Sequence, residues 1–420
     1  MDARACRENS GRDSAAETDS PYAWRRLACT GLISTIGGVG MWSFIVALPT
    51  VQADFGITRA EASLPYTLLM LGFGIGGIFM GRLADRRGIV PPLLIAITAL
   101  GAGYVLSAFT TSIWQLALVH GVLLGLCGTS VMFAPLMADI SHWFVRRRGI
   151  AISIAASGNY LAGTIWPPIL QAMIASIGWR QSHLIIGVFC VVTMVPLVLT
   201  LRRRPATHAL DQMGAAATAA QGSLGLSPNA LTALLWVAGL ACCVAMSMPQ
   251  VHIVAYCGDL GYGVARGAEM LSLMLGFGVV SRIGFGVIAD RIGGLATLLV
   301  GSVLQTLVLV LYLGFSGLTS LYLISALFGL VQGGIVPAYA IIVREYFPPR
   351  EAGARLGIVI MATLVGMAFG GWISGAIFDL TGSYLAAFAN GAAWNVLNAA
   401  IAVWLLMRAS RTGSGRLAPA

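Results

Sequence analysis

Arg282 is the residue whose chemistry is hardest to explain as packing. It stands inside an apolar run, eight residues before Asp290, so at about 1.5 Å per helical residue it lies about 12 Å from the nearer helix end. That depth is close to the middle of a hydrocarbon layer about 30 Å thick. An arginine there costs at least about 2.5 kcal/mol on insertion scales and has to face protein or a water-filled cavity. The guanidinium keeps its charge, and its planar fork suits a carboxylate. A structural ion pair is the competing reading, and it needs an acid at the same depth. None is expected: Asp139 falls at one end of its run, and Asp259 and Glu269 fall toward the other side. A fixed cation with no resident acid implies an anionic ligand.

Other polar residues in apolar runs are weaker candidates for substrate contact. His120, about 10 Å into the fourth run, is suited to carrying a proton because imidazole titrates near neutrality; a hydrogen-bonded packing histidine is the alternative. His252, near the outer end of the seventh run, reads as a gate residue or an interfacial one. Asn159 and Tyr160 follow Gly158 in a run otherwise made of Ala, Ile and Gly, where polar groups need partners. Ser34, Thr35 and Trp42 on the first run are compatible with a cavity face, as are Gln332 and Tyr339, which share one face of the tenth. Asp139 with Arg146–Arg148, and Arg344 with Glu345, read instead as salt-bridge networks. Gly158, Gly163, Pro167 and Pro168 suggest close packing and a bend.

No nucleophile–base constellation, metal-ligand spacing or phosphate-cradling loop occurs, so no enzyme activity, cofactor or metal is expected. The seven cysteines (6, 29, 127, 190, 242, 243 and 257) have neither metal nor disulfide spacing and read as small buried hydrophobes.

The elements that must position these residues follow from composition. Of 420 residues, 58% are hydrophobic and 10% charged, with a mean hydropathy of +0.85; soluble proteins carry about 25% charged residues. Apolar runs fall at 27–52, 62–81, 89–109, 113–137, 149–176 and 182–201, and again at 230–256, 266–289, 294–315, 318–343, 354–378 and 384–407. Backbone polar groups in lipid must pair internally, so these runs are helices. The spacing predicts a tail over 1–26, a six-helix bundle over 27–201, a polar linker over 202–229, a second bundle over 230–407 and a tail over 408–420. With both termini cytoplasmic, 21 of the 25 basic residues, all arginine, fall inside, against three outside and one, Arg282, within a span. That ratio sets the orientation and excludes nucleic acid as the reason for the net charge of +9. The N-terminal tail has no apolar core and does not read as a signal peptide. Trp24, Trp114, Trp143 and Trp179 read as interfacial anchors.

The halves repeat each other. Gly81, Asp85, Arg86 and Gly88 follow the second span, and Gly286, Asp290, Arg291 and Gly293 follow the eighth, offset by 205 residues. Six plus six helices in parallel duplication is a transporter architecture with its site between the halves. The repeated pattern resembles the motif of the major facilitator superfamily, although Ile89 and Val90 stand where a basic pair is usual. The glycines allow a tight corner, an Asp gains near a helix N-terminus, and such a contact is read as a conformational gate.

Within that superfamily the chain resembles the branch of monocarboxylate transporters and oxalate/formate antiporters. Trp143–Ala151, Gly178-Trp179-Arg180, His252–Gly261, Ser281-Arg282 and Asp379–Tyr384 carry that likeness. It implies that the helix-8 arginine, Arg282, meets the substrate carboxylate. Two departures stand out: Gly278 occupies the position of a proton-handling Asp, and a chain without lysine lacks the branch's functional Lys.

The expectation is therefore an all-α membrane protein of twelve transmembrane helices, two six-helix bundles with pseudo-two-fold symmetry. It would act as a monomeric secondary transporter of small organic anions, monocarboxylates first, by alternating access in the cell inner (cytoplasmic) membrane. Protons are a candidate second substrate; exchange of anions without protons is the close rival. Drug or cation efflux, which wants a buried carboxylate, and a ligand sensor without transport stand further off.

Overall fold

The computed structural model describes residues 18–144, 147–203 and 224–411. Eleven helical stretches among the described residues are long and apolar enough to cross a membrane. One of them, Arg148–Leu199, has 52 residues and would extend about 78 Å, more than two bilayer cores. It turns at Gly178 (φ 80, ψ 161), so the described residues cross twelve times. In chain order these are α1 (Pro21–Phe55), α2 (Arg59–Arg87), α3 (Val90–Ala108) and α4 (Ile113–Ser141). The two arms at 148–177 and 179–199 are α5 and α6. The second half holds α7 (Pro228–Asp259), α8 (Val264–Ile292), α9 (Gly294–Gly314), α10 (Leu318–Tyr346), α11 (Pro349–Thr381) and α12 (Tyr384–Arg411).

Boundaries differ from the sequence reading where capping outweighs hydropathy. Helix α1 begins at Pro21, not 27, because Ser20 caps it by accepting from the Ala23 amide and proline suits the first turn. Ser227 caps α7 in the same way, so α7 starts inside the expected linker, of which residues 204–223 lie outside the described ones. The expected loop between the fifth and sixth runs shrinks to the single corner at Gly178.

Arg26 near the start of α1 donates to the Leu201 carbonyl beyond α6 (3.0 Å), and Arg408 near the end of α12 donates to the Leu224 carbonyl before α7 (2.6 Å). These contacts define a terminus-bearing face; the opposite one is the far face. Outward residues such as Val188, Val192, Leu307, Val310 and Val396 are exposed, as lipid-facing positions are.

The duplication is visible in backbone geometry. Gly88 ends α2 at φ 82, ψ 173, and Gly293 ends α8 at φ 78, ψ 168. Both lie in a region open essentially to glycine alone. Likewise, a Cβ on Gly125 of α4 would meet the Leu69 carbonyl of α2, and one on Gly329 of α10 would meet the Met274 carbonyl of α8.

Several expected anchors and ion pairs fall elsewhere. Trp143 and Trp179 are buried, Trp143 in a cluster with Ala23 and Ile140, and only Trp114 is freely exposed. Asp139 pairs with Arg26 at 2.9 Å, because α1 enters beside the end of α4; of its expected partners, Arg146 and the Arg148 side chain lie outside the described residues. Glu345 accepts from the Gly294 amide at 2.9 Å and caps α9 instead of pairing with Arg344. The six described cysteines are all free.

Gly178→Ala should cost about 1–3 kcal/mol, read as a lower midpoint in thermal unfolding in detergent. Gly314→Ala, where an added Cβ meets nothing within 4 Å and φ is ordinary, should leave the midpoint unchanged.

Candidate functional site

The site forms where α5 and α8 cross between the halves, and glycines set how closely they approach. A Cβ on Gly163 of α5 would stand 2.8 Å from the Trp42 ring, and one on Gly158 would stand 2.6 Å from the Ser34 side chain. Glycine therefore lets α5 press onto α1, and at Gly163 onto Leu275 of α8 as well. Trp42 donates its indole hydrogen to the Asn159 carbonyl (3.0 Å) and reaches Asn159 Oδ1 (3.3 Å), which fixes both ends of the contact.

Arg282 reaches across this seam. Its Nη1 donates to the Ala156 carbonyl of α5 at 3.1 Å. Its guanidinium carbon sits 4.0 Å from the centre of the Tyr160 ring and 6.0 Å from that of Phe133 on α4. Arg282 is half-buried, and among the described residues it has no acidic partner and no hydrogen bond at Nη2. Its Nε is buried and unbonded. A charge held by one carbonyl and two ring faces gains about 0.5–2 kcal/mol per ring but stays un-neutralised.

Gly278, one turn before Arg282, faces the same ring: a Cβ there would come within 2.5 Å of Tyr160 Cδ1. No aspartate fits while Tyr160 stacks on Arg282. The departure noted in the sequence thus has a steric cause.

The other candidates do not converge on Arg282. Asn159 turns its amide nitrogen toward Met41 Sδ (3.5 Å). His120 is fully buried among the N-terminal helices against Phe44 and His183, with neither ring nitrogen bonded. Gln332 accepts from Gln250 at 2.6 Å, and Tyr339 donates to Asn398 at 2.9 Å, both inside the C-terminal bundle. Ser34 donates to the Met132 carbonyl and Thr35 to that of Gly31. His252 lies at the far face, held by Tyr384 and the Gly371 carbonyl. Sequence reasoning missed Phe133 and His183. The Gly128–Phe133 break in α4, with Phe133 at φ −122, ψ −91, is followed by Pro135 in the first turn of the resumed helix, the one sequence signal that could have marked it.

All hydrogen bonds between the halves lie at the seam or farther toward the far face, among the described residues. They include Thr67 to the Ala368 carbonyl (3.2 Å), Ser272 to the Thr164 carbonyl and the Arg59 contacts with Asp379. At the terminus-bearing end, Asp85, Arg86, Asp290 and Arg291 are exposed and make no hydrogen bond or ion pair among the described residues. A Cβ on Gly81 or Gly286 would meet nothing within 4 Å.

Two helical bundles that meet at a seam crossed by an arginine without an acidic partner among the described residues, and whose hydrogen bonds to each other lie at that seam or toward the far face, define a membrane transport protein. The chain belongs to the Major Facilitator Superfamily, whose profile matches residues 30–321 and 285–419. Several of the relatives it resembles are monocarboxylate transporters, at 25–27% identity. It is 28% identical to the MFS-type transporter pynF of Aspergillus niger, over 73% of this chain and 69% of that one. It is 26% identical to monocarboxylate transporter 13 of Bos taurus, over 82% and 79% respectively. Its fold matches a bacterial homologue of the human lysosomal transporter Spinster, solved inward-facing and occupied. That match has a TM-score of 0.66 and 16% identity, covering 96% of this chain and all of the other.

Gly278→Ala should force Tyr160 off Arg282 and cost about 1–3 kcal/mol by overpacking. In a Tyr160→Ala background the same change should be close to neutral, so a double-mutant cycle in thermal unfolding checks the contact.

Proposed function

We propose that this protein is a secondary transporter of small organic anions, monocarboxylates first, working by alternating access between its halves. One observation carries the reading: Arg282 crosses the seam with no acid to neutralise it and with Nε and Nη2 unspent. The same edge of Arg26 shows what it does with a carboxylate, since Nε and Nη2 each reach an oxygen of Asp139 at 2.9 Å. A ligand carboxylate would give Arg282 the pair that the fold withholds, with the Tyr160 and Phe133 rings as its apolar walls. A single cation suits one carboxylate better than two. The names of the monocarboxylate relatives agree with that choice. A cation substrate would find the wrong charge here, which ranks efflux of cations lower.

The terminus-bearing face is read as cytoplasmic from the arginine distribution and the membrane as the inner one. The conformation is then inward-facing, with Asp85, Asp290 and their glycine corners as parts of a gate that is parted in this state. Coupling is argued by Gly278. With the Tyr160 ring against it, no acid can take a proton beside Arg282, and this favours anion exchange over proton symport at that turn.

In proteoliposomes, Arg282→Ala should abolish uptake of small monocarboxylates, by about 100-fold or more, with no loss of thermal stability. Full uptake by that variant sinks the proposal. During wild-type exchange, a pH dye trapped inside should read almost no change; a proton-coupled carrier would shift it with every turnover.

A further inference from the structure

We propose that His252 is a proton-binding switch in the latch that holds the far face closed. The proposal rests on the alternating-access reading and is independent of the substrate class.

Arg59, at the start of α2, is the hub of that latch and is only 6% exposed. Its Nη2 pairs with Asp259 of α7 at 3.2 Å, and its Nη1 donates to the Tyr384 hydroxyl of α12 at 3.0 Å. Its guanidinium lies 4.8 Å from the centre of the Phe378 ring of α11. The backbone amides of Arg59 and Ala60 donate to the Asp379 carboxylate at 2.8 and 2.7 Å. One helix end of the first half is thereby tied to three helices of the second.

His252 sits beneath Tyr384, fully buried. Its Nε2 is 2.8 Å from the Gly371 carbonyl, and its Nδ1 is 3.1 Å from the Tyr384 hydroxyl. A carbonyl only accepts, so Nε2 carries a hydrogen. In a neutral ring Nδ1 is then bare and accepts from the Tyr384 hydroxyl, whose oxygen accepts from Arg59. The chain runs Arg59 to Tyr384 to His252 to Gly371, and it closes only around a neutral imidazole.

A second proton, on Nδ1, would break this order. The Tyr384 oxygen would face two cationic donors, and the phenol hydrogen would lose its acceptor. Nothing nearby offers relief. Tyr256 packs on the Tyr384 ring (5.5 Å between centres), Tyr66 of α2 lies against Gly371, and Asp259 and Asp379 are engaged with Arg59 and its neighbouring amides. No acid touches His252, and a charged ring would stand close to Arg59 in a buried site. Neutral His252 therefore belongs to the latched state and imidazolium to the parted one. Proton binding shifts the population toward an open far face by that differential affinity.

The Arg59 and Ala60 amides report the latch directly, because their acceptor lies in the other half. Hydrogen–deuterium exchange of a peptide covering 57–64, in the full chain and normalised to an unfolded reference, should rise about tenfold between about pH 8 and about pH 5.5. His252→Gln keeps a donor for Gly371 and an acceptor for Tyr384 but takes no proton, and its exchange should stay flat over that range. Tyr384→Phe, which removes the link, should exchange fast at both pH values. A flat wild type, or an acid rise retained in His252→Gln, overturns the proposal; the retained rise would point to Asp259 or Asp379 instead. No substrate enters the measurement, so failure of the organic-anion reading would show only in uptake and failure of the switch only in exchange.

Discussion

A guanidinium cannot shed its proton, so wherever the fold buries one, the surroundings must supply the compensation. At the seam between the halves that supply is partial. Arg282 has one carbonyl and two aromatic faces. A charged hydrogen bond contributes about 1.5–3 kcal/mol and each ring about 0.5–2 kcal/mol, enough to offset an insertion cost of about 2.5–3.5 kcal/mol. The charge is thus tolerable without being neutralised. The arrangement depends on small residues around it. Gly158 and Gly163 bring α5 against α1, and Gly278 leaves the space that the Tyr160 ring fills.

The two faces are held by different physics. The far face closes with directional bonds gathered on Arg59, where the buried guanidinium pairs with the exposed Asp259 and amide contacts with Asp379 cross between halves. Because Asp259 reaches solvent, its pair with Arg59 is partly screened, and the latch depends on these bonds acting together. The terminus-bearing face shows corners instead. Gly88 and Gly293 hold matched backbone angles, while Gly81 and Gly286 stand in open space within helices. A helical glycine costs about 0.5–1 kcal/mol relative to alanine and returns nothing here. On the gating reading, that cost is recovered when the face closes and the helices meet at those positions.

Much of this was legible in the chain. Twelve runs gave the spans, the 205-residue offset gave the duplication, and the depth of Arg282 singled it out. What the chain could not show was which way side chains turn. Gln332 and Tyr339 share a face, as their spacing says, yet that face looks into the C-terminal bundle, where Gln250 and Asn398 meet them. Asp139 has arginines seven to nine residues away in sequence, but its partner, Arg26, is 113 residues distant. The role of Arg59 was equally hidden. By hydropathy it is one more charge at a helix start; only the docking of α7, α11 and α12 makes it a hub.

Three buried or half-buried arginines can then be told apart by how their donors are spent. Arg26 uses Nε, Nη1 and Nη2 on Asp139, Tyr22 and the Leu201 and Arg203 carbonyls, and lies over Trp143. It is saturated, and its role is to fasten α1 to α4. Arg59 is neutralised by Asp259 but leaves Nε unbonded, as suits a contact that has to part and re-form. Arg282 has no acidic partner among the described residues. Structural arginines in an apolar interior end up saturated because an unsatisfied charge is a standing cost. A fold that keeps one unsaturated at the seam of two moving halves has left its neutralisation to something that comes and goes.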